Sequence, residues 1–234
     1  MARLPRLDLP NIPQHVIQRG NNRQACFYQE KDYKAYLNWL KYYSLKENVA
    51  IHAWVLMTNH VHLLCTPRKP KAVSLMMQGL GRRYVQYFNH SNQRTGTLWE
   101  GRFKSCLVQN RNYLLEVYRY IESNPVRSGM VNSPAEYPWS SYQINALGKR
   151  SDLATYHEQY IALGQSEAER QHSYSTLFKS KVVGQNEPLI RKSVSRGGVL
   201  GDEKFKSAIE AITGRRVTSV RRGRPKTVVD TKSI

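Results

Sequence analysis

Two hydrophobic periods alternate along this chain, and the places where one gives way to the other mark its elements. Residues 15–20, "HVIQRG", read as a strand entering a loop, and "GNNRQ" supplies a Gly-Asn turn with Arg23 exposed. In "KDYKAYLNWLKYYSLKEN" the residues Tyr33, Tyr36, Leu37, Leu40 and Tyr43 recur at helical spacing, with lysines opposite. "AIHAWVLM" is a strand of β-branched and aromatic residues. "TNH" then turns the chain into a second strand, "HVHLLCT", and the two form a hairpin. A second amphipathic helix, "AVSLMMQGLGRRYVQYFNH", carries Val73, Met76, Met77, Leu80, Tyr84 and Phe88 on one stripe. A polar loop leads to "LWEGRFKSCLVQN", a loop and a further strand. "RNYLLEVYRYIESNP" is a third helix, ended at Pro125 because the residue before proline disfavours α geometry. "EYPWSSY" reads as an aromatic strap packed on the domain.

The order strand, helix, strand, strand, helix, strand, helix is the split β-α-β of an α+β fold. It predicts a ferredoxin/RRM-like antiparallel sheet with helices on one face and the other face free for a ligand. Residues 1–145 form this domain. Residues 146–234 form a basic C-terminal extension, helical in part and partly disordered. Two modest helices are expected between residues 151 and 180, and one more in "DEKFKSAIEAITG".

Charge narrows the partners. The 234 residues hold 36 Lys and Arg against 17 Asp and Glu, a formal charge of +19. Such an excess points to nucleic acid, or to an anionic membrane surface. No apolar run approaches the roughly 20 residues of a membrane span, and no signal-like segment follows the N-terminus. The expectation is a soluble cytoplasmic protein, nucleoid-associated, with no membrane role. Cys26, Cys65 and Cys106 lie far apart and form no C-x-x-C pair, so they read as small buried hydrophobes.

"NHVHLL" holds the candidate chemistry. Side chains alternate along a strand, so His60 and His62 point to the same side and can share one divalent ion. His15, His52 and His90 read as ordinary hydrogen-bonded core or surface residues. On the third helix Tyr120 and Asn124 are four residues apart and share a face. The Asn124 amide oxygen is a suitable ligand for a hard cation, and Tyr120 would hang beside that cation as a nucleophile. Tyr118 points about 160° away, toward the sheet-packing side. Tyr113 is nearly in phase with Tyr120 but roughly 10 Å along the axis, too far from Asn124 to share a metal. Nucleophile, Lewis acid and basic surface together suit covalent phosphodiester transfer.

Several ordered motifs then resemble one family. "NHVHLL" is similar to the histidine-hydrophobe-histidine motif of the HUH endonucleases. "YRYIESNPVRSGMV" resembles the tyrosine helix of their single-tyrosine transposases. Residues 1–27 and "WEGRFKS" resemble the REP-associated tyrosine transposases of bacteria, domesticated relatives of insertion-sequence transposases. The resemblance covers residues 1–145. It implies cleavage and rejoining of single-stranded DNA at palindromic, REP-type hairpins through a 5′-phosphotyrosine. It also implies Mg²⁺ or Mn²⁺ held by His60, His62 and Asn124, with Tyr120 as nucleophile. Insertion-sequence relatives often carry glutamine where this chain has Asn124. The resemblance implies a monomer, as in the domesticated branch, with the dimer of the insertion-sequence relatives as the alternative; no partner protein is expected.

Candidate phosphate contacts are Arg19, Asn21, Arg23, Arg82, Arg83, Arg102 and Lys104. Trp99 and Phe103 suit either base stacking or the core. In the tail, "RGRP" resembles the centre of an AT-hook, with Arg222 and Arg224 directed to a minor groove; a non-specific phosphate-binding tail is the other reading. Two further readings stay open: a hairpin-binding protein of the same fold without chemistry, and a zinc hydrolase, for which no other ligand set is spaced suitably.

Overall fold

The computed structural model describes residues 5–179 and 186–217. The five strands are β1 (Gln14–Arg19), β2 (Val49–Met57), β3 (His60–Pro67), β4 (Lys104–Val108) and β5 (Val199–Leu200). Three helices belong to the sheet domain: α1 (Glu30–Glu47), α2 (Ala72–Ser91) and α3 (Asn110–Glu122). Short α4 (Asn124–Arg127) and α5 (Tyr142–Asn145) follow, then α6 (Glu158–Ile161), α7 (Glu167–Leu177), α8 (Glu187–Arg196) and α9 (Glu203–Thr213). The sheet order is β2-β3-β1-β4-β5. The first four strands pair antiparallel, as the split β-α-β pattern requires, and β5 adds to β4 in parallel.

Alternation sorts the side chains onto two buried faces. Val16, Trp54, Leu56, Val61, Leu63 and Cys65 pack against Tyr36 and Leu40 of α1 and Met76, Leu80 and Tyr84 of α2. Ala53, Val55, Met57, Leu64, Cys106 and Val108 pack against Leu114, Val117 and Ile121 of α3. The α+β sheet fold therefore stands as read, but its second face is not left open: α3 covers it. The reason is visible in the strands, which are buried at nearly every position rather than at alternate ones. A β-bulge at His52 shifts the register between Ile51 and Ala53. It lets Val49 and Ile51 face the same cluster as Trp54 and Leu56, although the spacing across the bulge is odd.

Both sheet edges are covered. At β2 the strap donates Ser141 N–H to the Trp54 carbonyl, and the Trp139 carbonyl accepts Leu56 N–H; Trp139 itself stacks on Tyr33 at 4.6 Å. At the other edge β5 and α8 lie along β4. Neither β5 nor α8 is anticipated by the sequence pattern: β5 has two residues, too short for a period. The helices anticipated between residues 151 and 180 are α6 and α7, and α9 matches "DEKFKSAIEAITG". The three cysteines are buried and unpaired. No helix among the described residues is long and apolar enough to cross a membrane.

Candidate active site

Val61 is fully buried under α1 and α2, so its neighbours His60 and His62 project from the opposite face of β3. Their ring centroids are 5.0 Å apart. β1 runs beside β3 with Ile17 opposite His62, which places His15 diagonally across from His62. His15 Nε2 lies 2.9 Å from His62 Nδ1. α3 crosses this face and sets Tyr120 edge-on to both rings, at 5.6 Å from His15 and 5.8 Å from His62. Tyr118 points away, as its phase requires, but it packs against Tyr174 of the extension.

Pro125 shapes the end of α3. It has no N–H, so the Ile121 carbonyl one turn back loses its helical donor. Asn124 replaces it: its amide nitrogen donates to the carbonyls of Ile121 (3.3 Å) and Tyr120 (3.1 Å). Its oxygen then remains the atom for a cation. The chain does not stop at Pro125, because proline is tolerated in a first helical turn, and α4 continues from Asn124. Arg127 of α4 turns back over Tyr120. Its guanidinium sits 4.2 Å from the ring centroid, donates to the Tyr120 carbonyl at 2.8 Å, and pairs with Glu187 of α8 at 3.1 Å.

His60, His62, Tyr120 and Asn124 open on one cleft of about 590 Å³, with Arg19, Arg102 and Lys104 on its walls. α8 adds Arg191 and Ser195. Arg82 borders a neighbouring cavity. Asn21 and Arg23 stand on the turn after β1, where Gly20 N–H donates to the Asn59 carbonyl and the Arg23 carbonyl accepts from the Asn59 side chain. A Cβ on Gly20 would meet the Gln24 carbonyl at contact no side chain tolerates, so glycine is required there. Arg83 instead lies 5.6 Å from the Trp39 ring and borders neither cavity. Trp99 and Phe103 are buried in the core cluster. Arg222 and Arg224 lie outside the described residues.

The donor set fits a divalent cation. Burial, and secondarily Arg19, holds His60 down to about 4. Burial holds His62 well below its ordinary range, followed by the nearby His15, His60, Arg127 and Arg19. Both imidazoles are thus neutral near pH 7, as ligands must be. His60 Nδ1 donates to Asn59 Oδ1 at 2.6 Å, which leaves Nε2 as its free lone pair. For His62 Nε2 to bind a cation, His62 Nδ1–H must donate to His15 Nε2. His15 then carries its proton on Nδ1, a buried atom with no hydrogen-bond partner. Among the described residues no group of three or more His, Cys, Asp and Glu is arranged to hold a metal, so the set depends on the amide of Asn124.

His15, Arg127 and Arg191 are functional candidates that sequence reasoning missed. In sequence His15 reads as an ordinary hydrogen-bonded core or surface residue; it is buried, and its partner is invisible without strand register. Arg127 lies seven residues after Tyr120, nearly two turns, so helical phase finds it only when the helical path is carried past Pro125. Nothing in the local sequence brings Arg191 to this cleft.

The profile of the IS200-like transposases matches residues 9–124, from the segment before β1 to Asn124. The fold is similar to a solved REP-associated tyrosine transposase bound to a REP hairpin, with a TM-score of 0.52 and 18% identity over 67% of this chain and 95% of that one. A candidate transposase from Deinococcus radiodurans R1 is similar at 21% identity over 53% of this chain and 95% of that one, with a TM-score of 0.36. No curated protein matches the chain. The matched segment runs through both histidines and the tyrosine helix, so the chain carries an IS200-like transposase domain over residues 9–124.

Proposed function

We propose that this transposase cleaves and rejoins single-stranded DNA beside REP-type hairpins, through a covalent 5′-phosphotyrosine at Tyr120. The observation that carries the reading is the convergence of His60, His62, Tyr120 and Asn124 on one basic cleft. The fold's likeness to a transposase bound to a REP hairpin supports the choice of substrate.

His60 Nε2, His62 Nε2 and Asn124 Oδ1 would hold Mg²⁺ or Mn²⁺, which supplies Lewis-acid polarisation of the scissile phosphate. Arg19, Arg102 and Lys104 hold the DNA backbone against the cleft. Arg127, fixed by Glu187, keeps the Tyr120 ring in place. Tyr120 Oη attacks the phosphorus in line and loses its proton to solvent. The bond to the 3′ oxygen breaks, and that oxygen takes a proton from solvent to leave as a free 3′-OH. A later 3′-OH attacks the phosphotyrosine, rejoins the strand and restores the phenol.

Incubating the protein with a labelled REP-type hairpin oligonucleotide and Mn²⁺ should give an adduct that survives denaturation. Tyr120→Phe or chelation of the metal should abolish the adduct and leave binding intact. An adduct that persists in Tyr120→Phe overturns the nucleophile. Binding without an adduct, across substrates and both metals, makes the chain a hairpin-binding protein instead.

A further inference from the structure

Helix α8 packs on the same sheet face as α3, beside it rather than over it. Its Ile190 and Val194 are buried in the cluster that holds Leu114, Val117 and Ile121 of α3. α3 lies over β2 and β3, whereas α8 lies over β4 and β5. In the sheet order β2-β3-β1-β4-β5 the gap between the two helices falls over β3 and β1. The cleft is this gap. His60, His62 and Ile17 line its floor, Tyr120 and Asn124 one wall, and Arg191 and Ser195 the other.

The α8 wall is fixed to the tyrosine helix at its start. Asn186 donates to Glu116 of α3 at 2.8 Å, and Glu187 pairs with Arg127 at 3.1 Å. Glu187, Arg191 and Ser195 then follow at four-residue spacing along one face of α8. On a helix a glutamate ordinarily pairs with an arginine four residues later. Here Glu187 is turned to Arg127 instead, and Arg191 has no ion pair among the described residues. Burial lowers the Arg127 pKa, Glu187 and Tyr120 raise it, and the Arg191 charge lowers it again, so the two guanidiniums stand close enough to repel. Against Arg19, Arg102, Lys104 and Arg191, Glu100 is the one carboxylate among the described residues that line the cleft. An uncompensated cation in such a cleft is relieved when an anion enters.

The reaction gives the two walls different tasks. In-line displacement puts the attacking and departing oxygens on opposite sides of phosphorus. Tyr120 attacks from the α3 wall, so the 3′ oxygen departs toward the α8 wall. His60, His62 and Asn124, which would hold the divalent ion, belong to the floor and the α3 wall. The α8 wall is left to the protein's own cation. We infer that Arg191 stabilises the departing 3′ oxygen, by donating a hydrogen bond to it as negative charge gathers there. This role rests on the cleavage at Tyr120 proposed above. The Tyr120 Oη–P bond forms as the P–O3′ bond breaks. The phenol proton goes to solvent and the 3′ oxygen takes one from water. Arg191 keeps its own protons, since an arginine stays charged near neutral pH. In rejoining, the same contact lowers the cost of removing the proton from the attacking 3′-OH. The C-terminal extension thereby takes part in the chemistry.

The test measures adduct formation in single turnovers, with Mn²⁺ and saturating protein. It compares a natural hairpin oligonucleotide with one carrying sulfur in place of the 3′ oxygen at the linkage the native protein cleaves. A thiolate departs readily without a donor, because a thiol is a far stronger acid than an alcohol. Arg191→Gln should slow the adduct about 100-fold on the oxygen substrate, the usual loss when one such donor is removed. On the sulfur substrate it should react at nearly the native rate. Arg191 is exposed, so the variant should fold, which a melting curve checks. Arg191→Lys keeps the charge and should fall between Gln and the native residue on oxygen. Variants equally slow on both substrates overturn the role, as do variants that match the native rate on oxygen. In either case the native adduct stands. No adduct from the native protein overturns the cleavage and this role together.

Discussion

His15 changes what the histidine pair can do. The atom that orients His62 comes from another strand, and holding a metal-binding ring by its second nitrogen is how ligand tautomers are set. Burial holds His15 down to about 3, followed by the charge of Arg127, so it meets His62 as a neutral acceptor. His15→Leu should lower Mn²⁺ affinity about 10- to 100-fold, the usual effect of losing such a partner. Its melting temperature should fall only modestly, because the buried His62 Nδ1–H loses its acceptor while a buried His15 nitrogen with no partner is removed. A Mn²⁺ titration by electron paramagnetic resonance, with a melting curve alongside, reads both. Unchanged affinity would reduce His15 to a packing residue.

At the scale of elements, Glu122 joins three of them. It is fully buried at the end of α3 and accepts from Ser141 of the strap, Asn145 of α5 (2.8 Å) and Tyr174 of α7 (2.7 Å). Burial pushes its carboxyl up to about 7, against the lowering effect of those three bonds. The unfolded chain releases this proton near pH 4.3. Between the two values the folded state binds more protons, so this group's stabilisation is present below about pH 4.3 and lost as pH rises toward 7. The loss is roughly 3 kcal/mol. Glu122→Gln cannot ionise, so urea unfolding at pH 5 and pH 7.5 should show the native protein losing about that much relative to the variant. Parallel curves would refute the linkage. Glu122→Ala strands three donors and should cost about 3 kcal/mol or more at either pH. His52 carries the opposite sign: burial holds it down to about 4, so its contribution is lost as pH falls from about 6.5 toward 4. Comparing each variant with the native chain separates the two.

Over the whole molecule, the +19 charge is a statement about DNA only where the fold gathers it. Arg102 lines the cleft that holds His60, His62 and Tyr120, while Arg83 lies over Trp39 and does not line it. Arg102→Gln should weaken single-strand binding for all sequences and reduce the slope of log affinity against log salt by roughly 0.7. Arg83→Gln should leave the slope unchanged; equal effects would mean that charge acts diffusely. Local rules were enough for much of this protein. Period-2 and period-3.6 patterns located β1 to β4 and α1 to α3, and the phase of β3 and α3 put His60 with His62 and Tyr120 with Asn124. Each of those facts depends on residues a few positions apart, where backbone geometry alone decides direction. Strand register and the return of the extension decided the rest: His15 beneath His62, α3 over the second sheet face, Glu187 on Arg127, Arg191 in the cleft. These contacts join residues tens of positions apart, and no local period encodes which distant surface a chain will meet. That choice belongs to burial, which placed α8 and β5 against β4 and so completed the wall of the site.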